Sequence, residues 1–179
     1  MKDILFRGFT TDGRYSDSNT KIIVDGESYT GIWVYGNLIV NGDYCCILQP
    51  DEALHPMDQP YLDPFMGTID GYATPVIPST VSMFTGEYDK NGKRIFEHDI
   101  VDMDGEWWDA AGPAGHSSRF EIVEWNGWTT GFNPFANYDC DCGVYIGSEG
   151  CSVIGNEFEN RDILLMSDEE IIAKYVKGE

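Results

Sequence analysis

Residues able to bind a metal, carry a proton or attack an electrophile cluster at a few points of this chain. Glu87, Asp89, Asn91 and Gly92 set oxygen-bearing side chains at alternate positions before a glycine, which is how a calcium-binding loop opens. The oxygen cage of such a loop needs a bidentate Glu at its twelfth position. Here that position is His98, with Glu97 one place early. The same letters make a hairpin turn at Asn91-Gly92, and a turn is the expectation. Cys140, Cys142 and Cys151, with His116 or His55, offer ligands of the kind zinc takes. A structural zinc knuckle spaces its cysteines about two to four residues apart so that both thiolates reach one tetrahedral ion. Cys140-Asp141-Cys142 is one residue too tight, so metal-free thiols are expected. His98-Asp99 suggests a carboxylate orienting an imidazole base. Neighbours on an extended backbone diverge to opposite faces, however, and no Ser or Cys nucleophile is tied to the pair by a motif. No G-x-S-x-G, phosphate-binding loop or H-E-x-x-H occurs. The residues assign no catalytic group, no cofactor and no metal.

Aromatic side chains and charge say more. Trp107 and Trp108 adjoin, so on a strand one faces inward and the other outward. Trp125 and Trp128 flank Asn126-Gly127 and are placed to pack across that turn. Cross-strand packing accounts for most such rings, and an exposed Trp would mark a binding face. The chain carries 31 acidic and 11 basic residues, a formal net charge of −20. No Lys or Arg stands between Lys21 and Lys90, and only Arg119 between Arg94 and Arg161. Such a field repels phosphate backbones and disfavours direct nucleic-acid binding. It suits either plain solubility or the docking of a basic partner. Trp107 and Trp108, with Asp102, Asp104, Glu106 and Asp109, form the candidate interaction surface.

These groups must be positioned by β structure. A length of 179 residues, 42% hydrophobic and 13% aromatic, is enough to bury a core. Asn41-Gly42, Asn91-Gly92 and Asn126-Gly127 each sit between β-prone runs, and both residue types tolerate the positive φ of tight hairpin turns. Strand pieces are expected at 32–35, 38–40, 44–48, 95–96, 99–103, 120–125, 128–132, 144–146 and 153–154. A kink at Glu97-His98 should separate the two in the middle. Pro50, Pro56, Pro60, Pro64, Pro75 and Pro78 fall in one stretch, which cannot be regular sheet or helix for long. The clear helix is the tail. Ser167-Asp168-Glu169-Glu170 is a capping box, Met166 and Ile171 a hydrophobic staple, and Ile171, Ile172, Tyr175 and Val176 one apolar face. About ten residues are marginal as a free helix, so that face should dock. No apolar run approaches the roughly 20 residues of a membrane helix, and the N-terminus lacks a signal-peptide core. A cytoplasmic location is expected, with the five cysteines as reduced thiols.

Several blocks, taken in order, resemble a family. Ile4-Leu5-Phe6-Arg7-Gly8 and Trp33-Val34-Tyr35-Gly36-Asn37-Leu38 come first. The run from Thr80 through Phe84-Thr85-Gly86-Glu87-Tyr88 to Ile95-Phe96-Glu97-His98-Asp99-Ile100-Val101 follows, and then Val153-Ile154-Gly155-Asn156-Glu157-Phe158-Glu159-Asn160. Together they resemble the YopX family, small proteins found mainly in phages and prophages. The family usually has Gln near Met83, Gly at the place of His98, and Pro where this chain has Arg161. If the family Gly occupies a bend of positive φ, His98 must adopt it at some cost. The resemblance implies an all-β fold with a small barrel as its second half. It implies no catalytic residue or cofactor.

The expectation is an all-β protein: an N-terminal β subdomain (1–50), a Pro-rich connection (51–78), a barrel-like, SH3-like C-terminal subdomain (79–166) and a short helix (167–177). Its expected role is that of a non-enzymatic phage or prophage accessory protein that binds a protein partner. An acidic mimic of DNA that occupies a host DNA-binding protein and a hydrolase using Asp or His remain as alternatives. Edge strands and an exposed Trp would also serve self-association.

Overall fold

The computed structural model describes residues 5–12, 20–49, 61–62, 69–70, 73–103, 108–109, 112–113, 120–127, 130–135 and 150–176. Contacts divide the chain into two units, residues 1–83 and 84–179. The all-β expectation holds in both, with the capped helix at the end.

In the first unit, β1 (Phe6–Thr10), β2 (Thr20–Val24), β3 (Glu27–Asn41) and β4 (Tyr44–Leu48) pair antiparallel. β5 (Tyr61–Leu62) pairs with β6 (Ile69–Asp70), and β7 (Ala73–Val76) adds to β4. Pro75 lies opposite Cys46 on β7, at the end of the sheet, where a missing ladder donor is tolerated. β3 is 15 residues long because it serves three partners in succession. Glu27–Gly31 face β2, Ile32–Gly36 face β1, and Asn37–Asn41 face β4. A glycine closes each of the first two segments. A Cβ on Gly31 would intrude on the carbonyl oxygen of Thr10, and one on Gly36 on that of Leu48. Close passage of another backbone is what these glycines permit.

Alternation along these strands sends Val34, Ile47 and Val76 into one cluster, with Phe6, Ile32, Leu38, Cys45 and Val81 packed on it. Thr80, in the 3₁₀ turn Pro78–Thr80, is fully buried yet satisfied: its Oγ1 donates to the Ile77 carbonyl and accepts from the Phe9 amide. Asn41 ends β3 opposite Tyr44, and Gly42-Asp43 forms the β3–β4 turn, with Gly42 at φ +61°. Asp25-Gly26 makes the β2–β3 turn, both residues at positive φ (51° and 84°), the requirement of a type I′ hairpin.

The unit boundary falls within β8 (Ser82–Tyr88). In the second unit β8 pairs with β9 (Arg94–Phe96) around the Asn91-Gly92 turn. β10 (Asp99–Asp102) follows, and then β11 (Trp108–Asp109), paired with β12 (Gly112–Pro113). β13 (Phe120–Ile122), β14 (Glu124–Asn126), β15 (Gly131–Asn133) and β16 (Ser152–Asn156) complete the strands. β10 lies between β13 and β16, and β14 pairs with β15. The barrel expected of this half is corrected: among the described residues the sheets do not close. Closure needs continuous, evenly staggered pairing. Here β10, β13, β14 and β15 are three or four residues long, and register breaks interrupt both β8–β9 and β10–β16.

The 3₁₀ turn Arg161–Leu165 leads into α1 (Asp168–Ile171), and a single π turn, Ile172–Val176, ends the described chain. The Ser167–Glu170 capping box is present in both directions. Ile171 docks as the staple and apolar face require, against Ile100 and Ile163, with Met166 and Tyr175 alongside. Much of the Pro-rich stretch and the strand expected at 144–146 lie outside the described residues.

Candidate interaction surface

The residues first considered for chemistry are engaged with backbone. Asp89 is buried at the start of the β8–β9 turn. Its Oδ1 accepts from the amides of Asn91 and Lys93, both at 2.8 Å, and its Oδ2 from the amide of Val153 at 3.0 Å. The loop that resembled a calcium site is thus a turn folded around its own carboxylate. Its neighbour Lys90 donates a backbone amide to the carbonyl of Cys151, joining the turn to the chain that enters β16.

His98-Asp99 is the corner between β9 and β10. His98 stands at φ +67°, the left-handed conformation expected if the family glycine marks a bend of positive φ. Its amide donates to the Val123 carbonyl and its own carbonyl accepts from Glu157, while Val123 donates to the Asp99 carbonyl. Nδ1 touches Oε1 of Glu157 without the alignment of a hydrogen bond. The imidazole meets the Phe158 ring edge to face, centroids 5.3 Å apart. Asp99 is buried, and its Oδ2 accepts from the Phe96 amide three residues back. The pair builds a corner, its two side chains engaged with different groups.

The block around Asn156 is a second such corner. Asn156 Oδ1 accepts from the amides of Phe158 and Glu159, and its Nδ2 donates to Glu159. Asn160 Oδ1 accepts from the Asn156 amide and fills the space a Cβ on Gly155 would take. These residue types at these spacings are the means of making one tight reversal.

Of the candidate interaction residues, Asp102 is only 2% exposed, in a strand buried along its length, and offers little surface to solvent. Trp108 and Asp109 form β11, and Asp104, Glu106 and Trp107 lie outside the described residues. Cys140, Cys142, His55, His116 and Trp128 lie outside them too. Cys151 is fully buried, and burial, with the charge of Asp89 next in weight, pushes its thiol up to about 11. A thiol that keeps its proton is a poor nucleophile. Cys45 and Cys46 point to opposite faces of β4 as expected, Cys45 onto the Val34 cluster and Cys46 into a buried position where desolvation raises its pKa.

Several large apolar side chains also stand out to solvent. Trp125, on β14, is 49% exposed, its ring edge-on to Phe132 with centroids 5.2 Å apart. Tyr44 and Val40 flank the β3–β4 turn, both more than half exposed. Leu164 and Leu165 are 45% and 87% exposed, in the turn that precedes the capped helix. The leucine pair was not singled out in the sequence. Its signal is the alternation of anchors around it, Ile163 before and Met166 after, both packed on the core.

The YopX protein family model matches residues 35–165, most of the chain. The chain belongs to the YopX family. The match includes the Asp89 turn, the His98 corner, the Asn156 corner and the leucine pair, while β1, β2 and the capped helix lie outside it. No curated protein matches this YopX-family chain. Among the described residues, no helix is long and apolar enough to cross a membrane.

Proposed function

We propose that this YopX-family chain is a non-enzymatic accessory protein of a phage or prophage that acts in the bacterial cytoplasm by binding another protein. One contrast carries the reading. Asp89, Asp99 and Asn156 are engaged in holding backbone amides, and the Cys151 thiol is buried and protonated. Trp125, Tyr44, Val40 and Leu165 meanwhile present large apolar surfaces to solvent on a chain of net charge −20. Polar groups spent on turns serve architecture, whereas exposed aromatic and aliphatic side chains are the usual anchors of protein interfaces.

Trp107, Trp108, Asp104, Glu106 and Asp109 remain part of the proposed interaction surface, and Asp102 leaves it. The partner is a basic protein, since like charge disfavours nucleic acid. The test is affinity capture from bacterial lysate at low and high salt, followed by titration with the captured protein in purified form. Stoichiometric binding that weakens with salt and with Trp125→Ala is the expected result. Absence of any stoichiometric partner, or a substrate turned over by the repurified chain, would overturn the reading.

A further inference from the structure

We propose that the 3₁₀ turn Arg161–Leu165 is a docking point for a basic segment of another protein that carries a large apolar side chain. This rests on the interaction role above and assigns it a place. The turn is anchored from beneath: Ile163 is buried against Ile100 and Ile171, and the Met166 amide donates to the Ile163 carbonyl. It is anchored from the side as well. Asp162 accepts from Lys174 Nζ at 2.7 Å and from the Tyr175 hydroxyl at 3.0 Å. These ties hold the intervening backbone, and Leu164 and Leu165 are the side chains left facing water. A single exposed leucine is ordinary on any surface. Two in succession on a turn pinned at both flanks are preordered, so a partner that covers them meets little ordering cost.

Charge decides the occupant. Between residues 157 and 170 stand Glu157, Glu159, Asp162, Asp168, Glu169 and Glu170 against Arg161 as the one basic residue. Asp162 is matched by Lys174, while Asp168 and Glu169 are exposed at the start of α1. A second copy of this chain, seated symmetrically on the leucines, would set these acids against themselves on two molecules each of net charge −20. Phosphate backbones and anionic lipid are repelled by the same field. A basic protein segment with an apolar anchor satisfies both the leucines and the carboxylates.

The test uses the full chain with two synthetic peptides, one lysine-rich with a central Leu-Leu and the other identical except for Ser-Ser. Binding is followed by calorimetry and by the leucine methyl resonances. The Leu-Leu peptide should bind saturably, shift the methyls of Leu164 and Leu165, and weaken with added salt. Leu165→Gln should weaken it about tenfold, with thermal stability unchanged because the side chain is exposed. Leu164→Gln provides a second variant. Equal binding of both peptides, or methyls that do not move, would overturn the proposal. So would a concentration-dependent dimer abolished by Leu165→Gln, which would assign the turn to a second copy. A captured natural partner that binds the Leu165→Gln chain as tightly as the wild type would overturn the leucine site alone and leave the interaction role standing. Failure to capture any partner would fall on that role, while the peptide titration would still decide the site.

Discussion

The carboxylate of Asp89 and the amide of Val153 are joined across 64 positions of sequence by a 3.0 Å hydrogen bond. The other oxygen of the same carboxylate closes the turn that Asp89 begins. One buried side chain therefore fixes a local reversal and ties it to a distant strand. Asp89→Ala leaves three amide donors without their acceptor. The expected loss is about 2–4 kcal/mol, since each unsatisfied buried donor costs roughly 1–3 kcal/mol and the turn relaxes in part. Urea unfolding checks this, and a loss under about 0.5 kcal/mol, the scale of an ordinary surface substitution, would refute it.

His98 holds a conformation that a Cβ opposes. Comparing two truncations isolates that strain, because both remove the contacts with Glu157 and Phe158. His98→Gly should be more stable than His98→Ala by about 1 kcal/mol, the usual cost of a side chain in the left-handed region. The sign is opposite to that in an ordinary strand, where glycine is the weaker of the two. Thermal melting of the pair decides it.

Gly31 and Gly26 contrast two reasons for glycine. Gly26 has open space around it and a φ of +84°, so Gly26→Ala should cost only the local strain of about 1 kcal/mol. At Gly31 the obstacle is the backbone of Thr10, which cannot swing aside as a side chain does. Gly31→Ala should therefore force β1 from β3 and cost more than about 3 kcal/mol. Amide exchange along β1 should rise for Gly31→Ala and stay as in the wild type for Gly26→Ala.

Docking of the tail helix, held chiefly by Ile171, should weaken modestly in acid. Hydrogen bonding to Lys174 lowers the pKa of Asp162, and the Ser167 amide lowers that of Glu170. Both are lower folded than unfolded. Their stabilisation is therefore complete above the unfolded values, 3.8 and 4.5, and is lost as pH falls through the folded ones. Lys174, raised from 10.5 to about 12 chiefly by Asp162, contributes fully below 10.5 and is lost as pH climbs through 12. Helix docking should be level from about pH 5 to 10. Amide exchange at Ile171 across pH reads this, and a transition near pH 6–7 would contradict it.

Much of the fold was legible locally. Asn41-Gly42 and Asn91-Gly92 announce their turns because Gly42 and Gly92 take positive φ without steric cost. Asp25-Gly26 carries the same signal and was overlooked, although it makes one of the clearest hairpins of the first unit. The Ser167–Glu170 box and its staple were readable because every partner lies within five positions. The open sheets of the second unit were not. The register shift between Phe84 and Tyr88 is marked by Gly86 at φ +88°, but whether short strands close into a barrel depends on stagger between distant strands, which no single residue type records. Of the candidate site, the burial of Asp102 was not legible for a related reason: acidity suggests solvent, and only its place in the middle strand of a sheet buries it.

The amino-acid sequence by itself determined where this chain reverses, where its helix starts, which family it resembles and that its charge is acidic. Each depends on residues near one another or on a sum over all of them. The tertiary structure alone decided that Asp89 serves Val153, that Gly31 must clear Thr10, and that Leu164 and Leu165 face outward while Ile163 does not. Those outcomes turn on which distant segments come within a few ångströms, and burial is a property of that encounter rather than of any residue in it.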